Sequence, residues 1–244
     1  RGARVVAISN IVDSSLAREA DAVIYTRAGL EVSVASTKAF VAQVAALEMF
    51  ALRLAQLRGT LGPADVDALF QGLHAVSAQV ATALERRDSV ELIAKELLGA
   101  HDFFFLGRHV GYPTALEGAL KLKELTYLHA EGYPAGELKH GPLALIEPGV
   151  VVVAVATNPA MHEKILSNLA EVKARGASVV VVATDDDELV AAVADYVMRV
   201  PATEPMFTPM VDIIPMQLFA YAMAKQLGRN VDRPRNLAKT VTVE

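Results

Sequence analysis

The chain contains no cysteine. That excludes disulfides, cysteine-ligated zinc and a thiol nucleophile, and it suits the reducing cytoplasm expected as its compartment. A basic excess is missing too: 23 Lys and Arg stand against 28 Asp and Glu, a formal net charge of -5. Proteins that neutralise phosphates along a nucleic acid carry a basic stripe, so no nucleic-acid partner is expected. Long uninterrupted apolar runs are also lacking. The longest apolar segment, residues 34–57, is broken by Lys38, Glu48 and Arg53. It reads as a buried helix of a soluble protein, and no membrane partner is expected. The opening residues, Arg-Gly-Ala-Arg-Val-Val, have no signal-peptide pattern. They read as a helix end running into a strand, as though the chain begins inside a domain.

What is present is a substantial apolar complement. With 53% hydrophobic residues in 244, the chain can bury one or two sizeable cores. Short Val- and Ile-rich runs alternate with longer helical patterns. Strands are expected over 4–9, 22–26, 102–107, 150–156, 178–183 and 196–200. Helices are expected over 36–56, 63–86, 112–128, 161–175 and 210–226. Continuous β-branched runs suit parallel strands covered on both faces, and the alternation predicts an α/β fold with doubly wound parallel sheets. Gly59 and Gly62-Pro63 mark a loop, and residues 64–98 read as a helical connector.

An internal repeat sharpens this picture. When Arg1-Gly2-Ala3 is laid on Arg175-Gly176-Ala177, Val5-Val6 falls on Val179-Val180 and Asp13 on Asp187. Ala20-Asp21 then meets Ala194-Asp195, Val23 meets Val197, and Gln43, Ala46 and Met49 meet Gln217, Ala220 and Met223. The second copy is preceded by about 75 residues of its own domain, from near His101, and the first copy by none. The expected division is therefore the back half of a first domain (1–60), a connector (61–93), a complete second domain (94–228) and a tail (229–244). The strand-end loops of the first domain, where doubly wound sheets bind ligands, would lie in the part not included.

Four places could carry chemistry. Residues 107–114, Gly-Arg-His-Val-Gly-Tyr-Pro-Thr, join a strand to a helix. They could cradle a phosphate on helix N–H groups or form an ordinary turn, and they lack Rossmann or Walker spacing. Glu117, Lys121 and Glu124 share one helix face at i, i+4 and i+7. That face is either a solvated ion pair or a carboxylate base beside a lysine that steadies substrate charge. Residues 130–142 form a loop rich in Gly, Pro and ionisable groups. In it His140 precedes Gly141-Pro142, either as a polar surface residue or as an acid/base group. The tail from Asp232 combines a proline-fixed turn, an asparagine and alternating Val and Thr. It reads as a segment that docks, with Lys239 inside it, or else as a frayed end.

At these residues the chain resembles the glucosamine-6-phosphate synthase family, the isomerising glutamine–fructose-6-phosphate aminotransferases. Residues 31–40 (Glu-Val-Ser-Val-Ala-Ser-Thr-Lys-Ala-Phe), 115–124, 130–146 and 232–244 carry the resemblance. It covers nearly the whole chain, and Gly-Glu-Leu-Lys-His-Gly-Pro at 136–142 and the tail are its specific parts. The resemblance implies two sugar-isomerase (SIS) domains and a tail that closes the sugar site. It implies conversion of fructose 6-phosphate to glucosamine 6-phosphate with ammonia from a glutaminase domain not included here, in a homodimer. By resemblance Glu124 is the base moving a proton between C1 and C2, Lys239 the Schiff-base amine, and His140 the ring-opening group supplied across the dimer interface. Lys121 matches a lysine beside the base, Val34 and Ala238 match positions whose backbone lines the sugar site, and Ser36 shares the loop of Val34. Neither a cofactor nor a metal is implied. The family's Ser/Thr-rich phosphate loop has no counterpart in these residues, so the chain by itself is expected to bind sugar phosphate weakly and to be inactive. Burial beneath the tail is expected to keep the Lys239 amine neutral. The alternatives within the same fold are an amino-sugar-phosphate deaminase or isomerase that works without a glutaminase, and a non-catalytic sugar-phosphate sensor.

Overall fold

A computed structural model of the chain describes residues 2–239. In chain order the elements are β1 (Val6–Ser9), α1 (Ser15–Glu19), β2 (Ala22–Tyr25), α2 (Lys38–Arg58), α3 (Pro63–Glu85) and α4 (Arg87–Glu96). There follow β3 (Asp102–Gly107), α5 (Gly111–Thr126), β4 (His129–Pro134), β5 (Val151–Val155), α6 (His162–Lys173), β6 (Ser178–Thr184), β7 (Tyr196–Val200) and α7 (Thr208–Gln226). Five strands form one all-parallel sheet in the order β4-β3-β5-β6-β7, and β1 and β2 pair separately, also in parallel. The expected α/β class and parallel pairing are what the chain adopts.

The five-stranded sheet is covered on both faces, as its β-branched strands require. Phe103, Phe105, Val151 and Val153 point to a cluster built with Ala115, Ala119 and Leu122 of α5 and with much of α7. Phe104, Leu106, Val152 and Ala154 point to the other face, against Leu138 and the α6 residues Ile165, Leu169 and Val172. All five β5 residues are buried. Each such side chain stabilises the fold by roughly 1.5–3 kcal/mol.

One strand lies where the sequence suggested a loop. Residues 129–134 form β4, in parallel register with β3 from Asp102↔His129 to Gly107↔Pro134. Glu131, Gly132 and Pro134 mask its strand character, but β4 is an edge, where a terminal proline is tolerated. Gly132 has a packing reason: a Cβ there would lie 2.7 Å from Leu116 Cδ2 and 3.0 Å from Leu116 Cα. Any side chain would push α5 off the sheet edge.

The internal repeat has a structural counterpart. Val6 pairs with Ala22 in one copy and Val180 with Tyr196 in the other, the same register at the same sequence offset. Asp21 Oδ2 accepts the Val5 N–H at 2.7 Å, and Asp195 Oδ2 accepts the Val179 N–H at 2.8 Å. The helices that follow, α2 and α7, differ sharply in burial. α7 packs on α3, α4 and α5 and is mostly core. α2 buries only Ala39, Ala46 and Leu52 and exposes Leu47, Met49, Phe50, Leu54 and Leu57. The expectation of a buried helix over 34–57 therefore fails, because within this chain α2 meets little besides α3, α7 and β1. Among the described residues it is the one helix long and apolar enough to suit a membrane span by length and composition.

Candidate active site

Helix α5 supplies the densest cluster of ionisable groups. Pro113 sits in its first turn, where no N–H is needed. At its end Tyr127 adopts φ 68° and donates its N–H to the Lys123 carbonyl at 3.1 Å, a left-handed stop. Gly118 lets α5 press between strand and helix, since a Cβ there would meet Met216 Sδ at 2.5 Å and Phe105 at 3.1 Å. The helix is thereby fixed, and so is the face bearing Glu117, Lys121 and Glu124.

That face is no solvated ion pair. Lys121 is buried, its side chain 2% exposed, and its Nζ lies 2.7 Å from Glu124 Oε2 and 3.4 Å from Glu117 Oε1. Burial pushes the Glu117 carboxyl above its ordinary value. Lys121 pulls the other way, and the nearby charges of Glu124 and Glu31 add to the rise. Lys121 thus bridges two carboxylates, one of them the expected base.

Glu31 links this cluster to the tail. Its Oε1 accepts the N–H groups of Thr37 at 2.8 Å and Ala39 at 3.3 Å, at the start of α2. Its Oε2 lies 3.1 Å from Lys239 Nζ, which also donates to the Ser33 carbonyl at 2.8 Å. Burial alone would raise the Glu31 carboxyl, but Thr37, Lys239 and Ala39 together hold it below its ordinary value. The tail is docked further up. Val34 donates its N–H to the Asp232 carbonyl at 3.1 Å, and Ser33 Oγ donates to the Val231 carbonyl at 2.8 Å. Lys239 is thus bonded to Glu31, whose charge acts on Glu117 of the Lys121 cluster, and Val34 and the half-buried Ser36 lie in the Glu31 loop. Ala238 is exposed on the approach to Lys239. A cleft of about 390 Å³ opens here between Leu120, Glu124, Tyr127, Arg235 and Leu237. A larger groove of about 730 Å³ between α2, α3 and α7 is mainly apolar and holds none of the candidate catalytic or sugar-binding residues.

One expectation needs correction, one open alternative is decided and one residue lies elsewhere. Lys239 is not buried: its side chain is 47% exposed, and its amine is engaged by Glu31 and Ser33. The 107–114 segment forms an ordinary turn. Its amides at Gly111 and Tyr112 already bond to the carbonyls of Arg108 and His109, and a Cβ on Gly107 would collide with the Gly111 carbonyl. His140 ends a 3-10 turn, Ala135–His140, before Gly141 at φ 146°. Leu138 of that turn belongs to the α6 face of the sheet, whereas Glu124 stands on the α5 face. Among the described residues no hydrogen bond or ion pair joins His140 to Glu124. His140 is 74% exposed, and its nearest charge among the described residues is Glu137 at 3.9 Å. The last residues of the tail, 240–244, lie outside the described residues.

Sequence reasoning missed Glu31 and Tyr127. Glu31 lies six residues ahead of Thr37, too far for the short spacing of a capping box, so only the folded loop shows that it caps α2. Tyr127 looked like a helix-end residue, and its reach to the tail depends on a contact 108 residues away.

The SIS domain family model matches residues 1–53 and 96–225. The chain belongs to the SIS-domain family. It is 50% identical over its whole length to the glutamine–fructose-6-phosphate aminotransferase [isomerizing] of Leifsonia xyli subsp. xyli. To the protein of the same name from Symbiobacterium thermophilum it is 51% identical. It spans 40% of the length of each. Among solved structures, the C-terminal domain of glucosamine-fructose-6-phosphate aminotransferase from Francisella tularensis superposes with a TM-score of 0.88 at 40% identity. That match covers 94% of this chain and 65% of the other. A glucosamine-6-phosphate deaminase from Thermotoga maritima, at TM-score 0.75 and 24% identity over 98% of this chain and 67% of its own, shares the fold.

Proposed function

We propose that this chain is the sugar-isomerising part of an enzyme that makes glucosamine 6-phosphate from fructose 6-phosphate and ammonia. The observation that carries this reading is the docking of the Lys239 tail onto Glu31 and Ser33, beside the Glu117–Lys121–Glu124 cluster. The likeness to the named aminotransferases along the whole chain supports it. Lys239 adds its amine to the C2 carbonyl of the open-chain ketose, and loss of water leaves an imine. Ammonia, released from glutamine by a domain outside this chain, displaces the lysine at C2. Glu124 takes a proton from C1 and returns it to C2, while the C1 hydroxyl gives up its proton and the nitrogen gains one, so the imine becomes an amine and C1 becomes the aldehyde. Lys121 holds Glu124 by ion pairing and steadies negative charge as it develops on the sugar.

His140, which makes no bond to Glu124 among the described residues, opens the sugar ring in the site of a partner subunit, which makes the working unit a homodimer. The exposed imidazole on the α6 face supports this assignment. Lys239 must leave Glu31 to attack, and the Glu31 carboxylate is then placed to receive the ammonium proton. The proposed setting is the cytoplasm, without cofactor or metal.

The experiment uses the full-length protein carrying its glutaminase part. Lys239→Ala should abolish glucosamine 6-phosphate formation while sparing much of the glutamine hydrolysis. Synthesis at the parental rate would remove the Schiff-base role and this reading with it.

A further inference from the structure

Tyr127 joins the helix that bears Glu124 to the tail that bears Lys239. It lies three residues after Glu124, and Arg235 lies four residues before Lys239. Tyr127 Oη accepts the backbone N–H of Arg235 at 2.9 Å. The guanidinium of Arg235 lies 4.3 Å from the centre of the Tyr127 ring, and that of Arg229 lies 5.1 Å from it. One half-buried side chain therefore holds the tail by a hydrogen bond and two cation–π contacts. Its backbone is unusual as well: φ 68° places a tyrosine in the left-handed region, where Gly and Asn are favoured. A residue chosen only to end α5 would be one of those two. The strained backbone is what aims the ring at the tail, back across the end of the helix.

We infer that Tyr127 is a positioning residue that fixes the Lys239 segment of the tail in register with the Glu124 face of α5. This rests on the function proposed above, in which the amine and the base act on neighbouring carbons of one sugar. Such a reaction needs the two groups placed to within about 1 Å, and a misplacement of that size can cost about 100-fold in rate. Glu31 and Ser33 hold the lysine head, but they sit on the loop before α2 and not on α5. Among the described residues, Tyr127 is the residue of the α5 terminus that holds the tail by both a hydrogen bond and ring contacts.

Two variants separate its parts in the full-length protein. Tyr127→Phe keeps the ring under both guanidinium groups and loses the acceptor. Tyr127→Asn removes the ring with a residue that tolerates the left-handed backbone, so the end of α5 is preserved. Trypsin should cut the Arg235–Asn236 bond at least about tenfold faster in Tyr127→Asn, with Tyr127→Phe in between. For glucosamine 6-phosphate formation, kcat should fall roughly 10- to 100-fold in Tyr127→Asn, KM for fructose 6-phosphate should change less than about threefold, and Tyr127→Phe should recover most of the rate. Parental cleavage at Arg235 in Tyr127→Asn would overturn the anchor. Faster cleavage with unchanged kcat would overturn its role in register. Absence of synthesis by the parental enzyme would sink the proposed function instead, while the cleavage rates would still decide whether Tyr127 holds the tail.

Discussion

Two lysines in this chain meet carboxylates in opposite settings. Lys121 is buried between Glu117 and Glu124 as a fixed bridge, whereas Lys239 is half-exposed and, in the proposed reaction, leaves Glu31 to attack the sugar. Another buried group, Asp212 of α7, has no ion-pair partner among the described residues. Its carboxylate is fully buried, with one hydrogen bond, from Thr157 Oγ1 at 2.5 Å. Burial pushes this carboxyl from 3.8 up to about 7, and the Thr157 hydroxyl offsets only part of the rise. Because the folded pKa is raised, the folded state favours the protonated acid. Its contribution is complete below pH 3.8 and is lost as pH climbs to about 7, for a swing of about 4 kcal/mol. Asp212→Asn should therefore stabilise the protein at pH 8 and change little at pH 4, as read by urea denaturation at both values. Equal destabilisation at the two pH values would refute the account of this residue.

At the scale of elements, the repeat controls how strands are crossed. Asp21 and Asp195 stand at the same place in two parallel strand–helical crossover–strand units, each accepting an N–H at the start of the first strand: Val5, just before β1, and Val179, in β6. Val179 is completely buried and Val5 is exposed, so the loss of the acceptor is not equal. Asp195→Ala leaves a buried N–H unpaired and should cost about 1–3 kcal/mol at pH 7, with Asp21→Ala well below that. Burial tends to raise the Asp195 carboxyl, but the amine of Lys173 and the N–H of Val179 leave it below its ordinary value. The stabilisation is thus present above pH 3.8 and fades as pH falls through the lowered pKa. Thermal denaturation at pH 7 and pH 3 measures both statements, and an Asp21 effect as large as that of Asp195 would contradict them.

The same scale shows what the sequence could reveal. Parallel pairing and the repeat were legible because β-branched runs and the Arg-Gly-Ala and Ala-Asp-x-Val matches record them directly. β4 was not, since an edge strand ending in proline, with glycine under a helix, looks like a loop. The exposure of α2 was not legible either, because hydrophobicity says that a face seeks cover and not whether this chain provides it. Within the site, Glu124 and Lys121 could be paired from helical spacing. The bond of Lys239 to Glu31, whose charge acts on Glu117 of that cluster, spans more than two hundred residues of sequence.

At the scale of the molecule, no hydrogen bond or ion pair among the described residues brings His140 to Glu124. If each site draws its histidine from the other subunit, two inactive variants can complement each other. Mixing full-length Glu124→Gln with His140→Ala subunits should give hybrid dimers with one intact site and restore about a quarter of parental activity at statistical reassociation, where half the dimers are hybrids with one of two sites intact. Mixtures as inactive as their parents, with hybrids confirmed by native mass spectrometry, would place the histidine and the base in the same subunit's site or outside catalysis. The central claim is narrower than the assembly: the amine of Lys239 forms an imine with the sugar carbonyl beside Glu124. The most direct measurement is borohydride reduction of the full-length protein in the presence of fructose 6-phosphate, followed by peptide mass spectrometry. The account expects a reduced hexose phosphate adduct on Lys239, lost in Lys239→Ala. An adduct on another lysine, or none under turnover conditions, would contradict it.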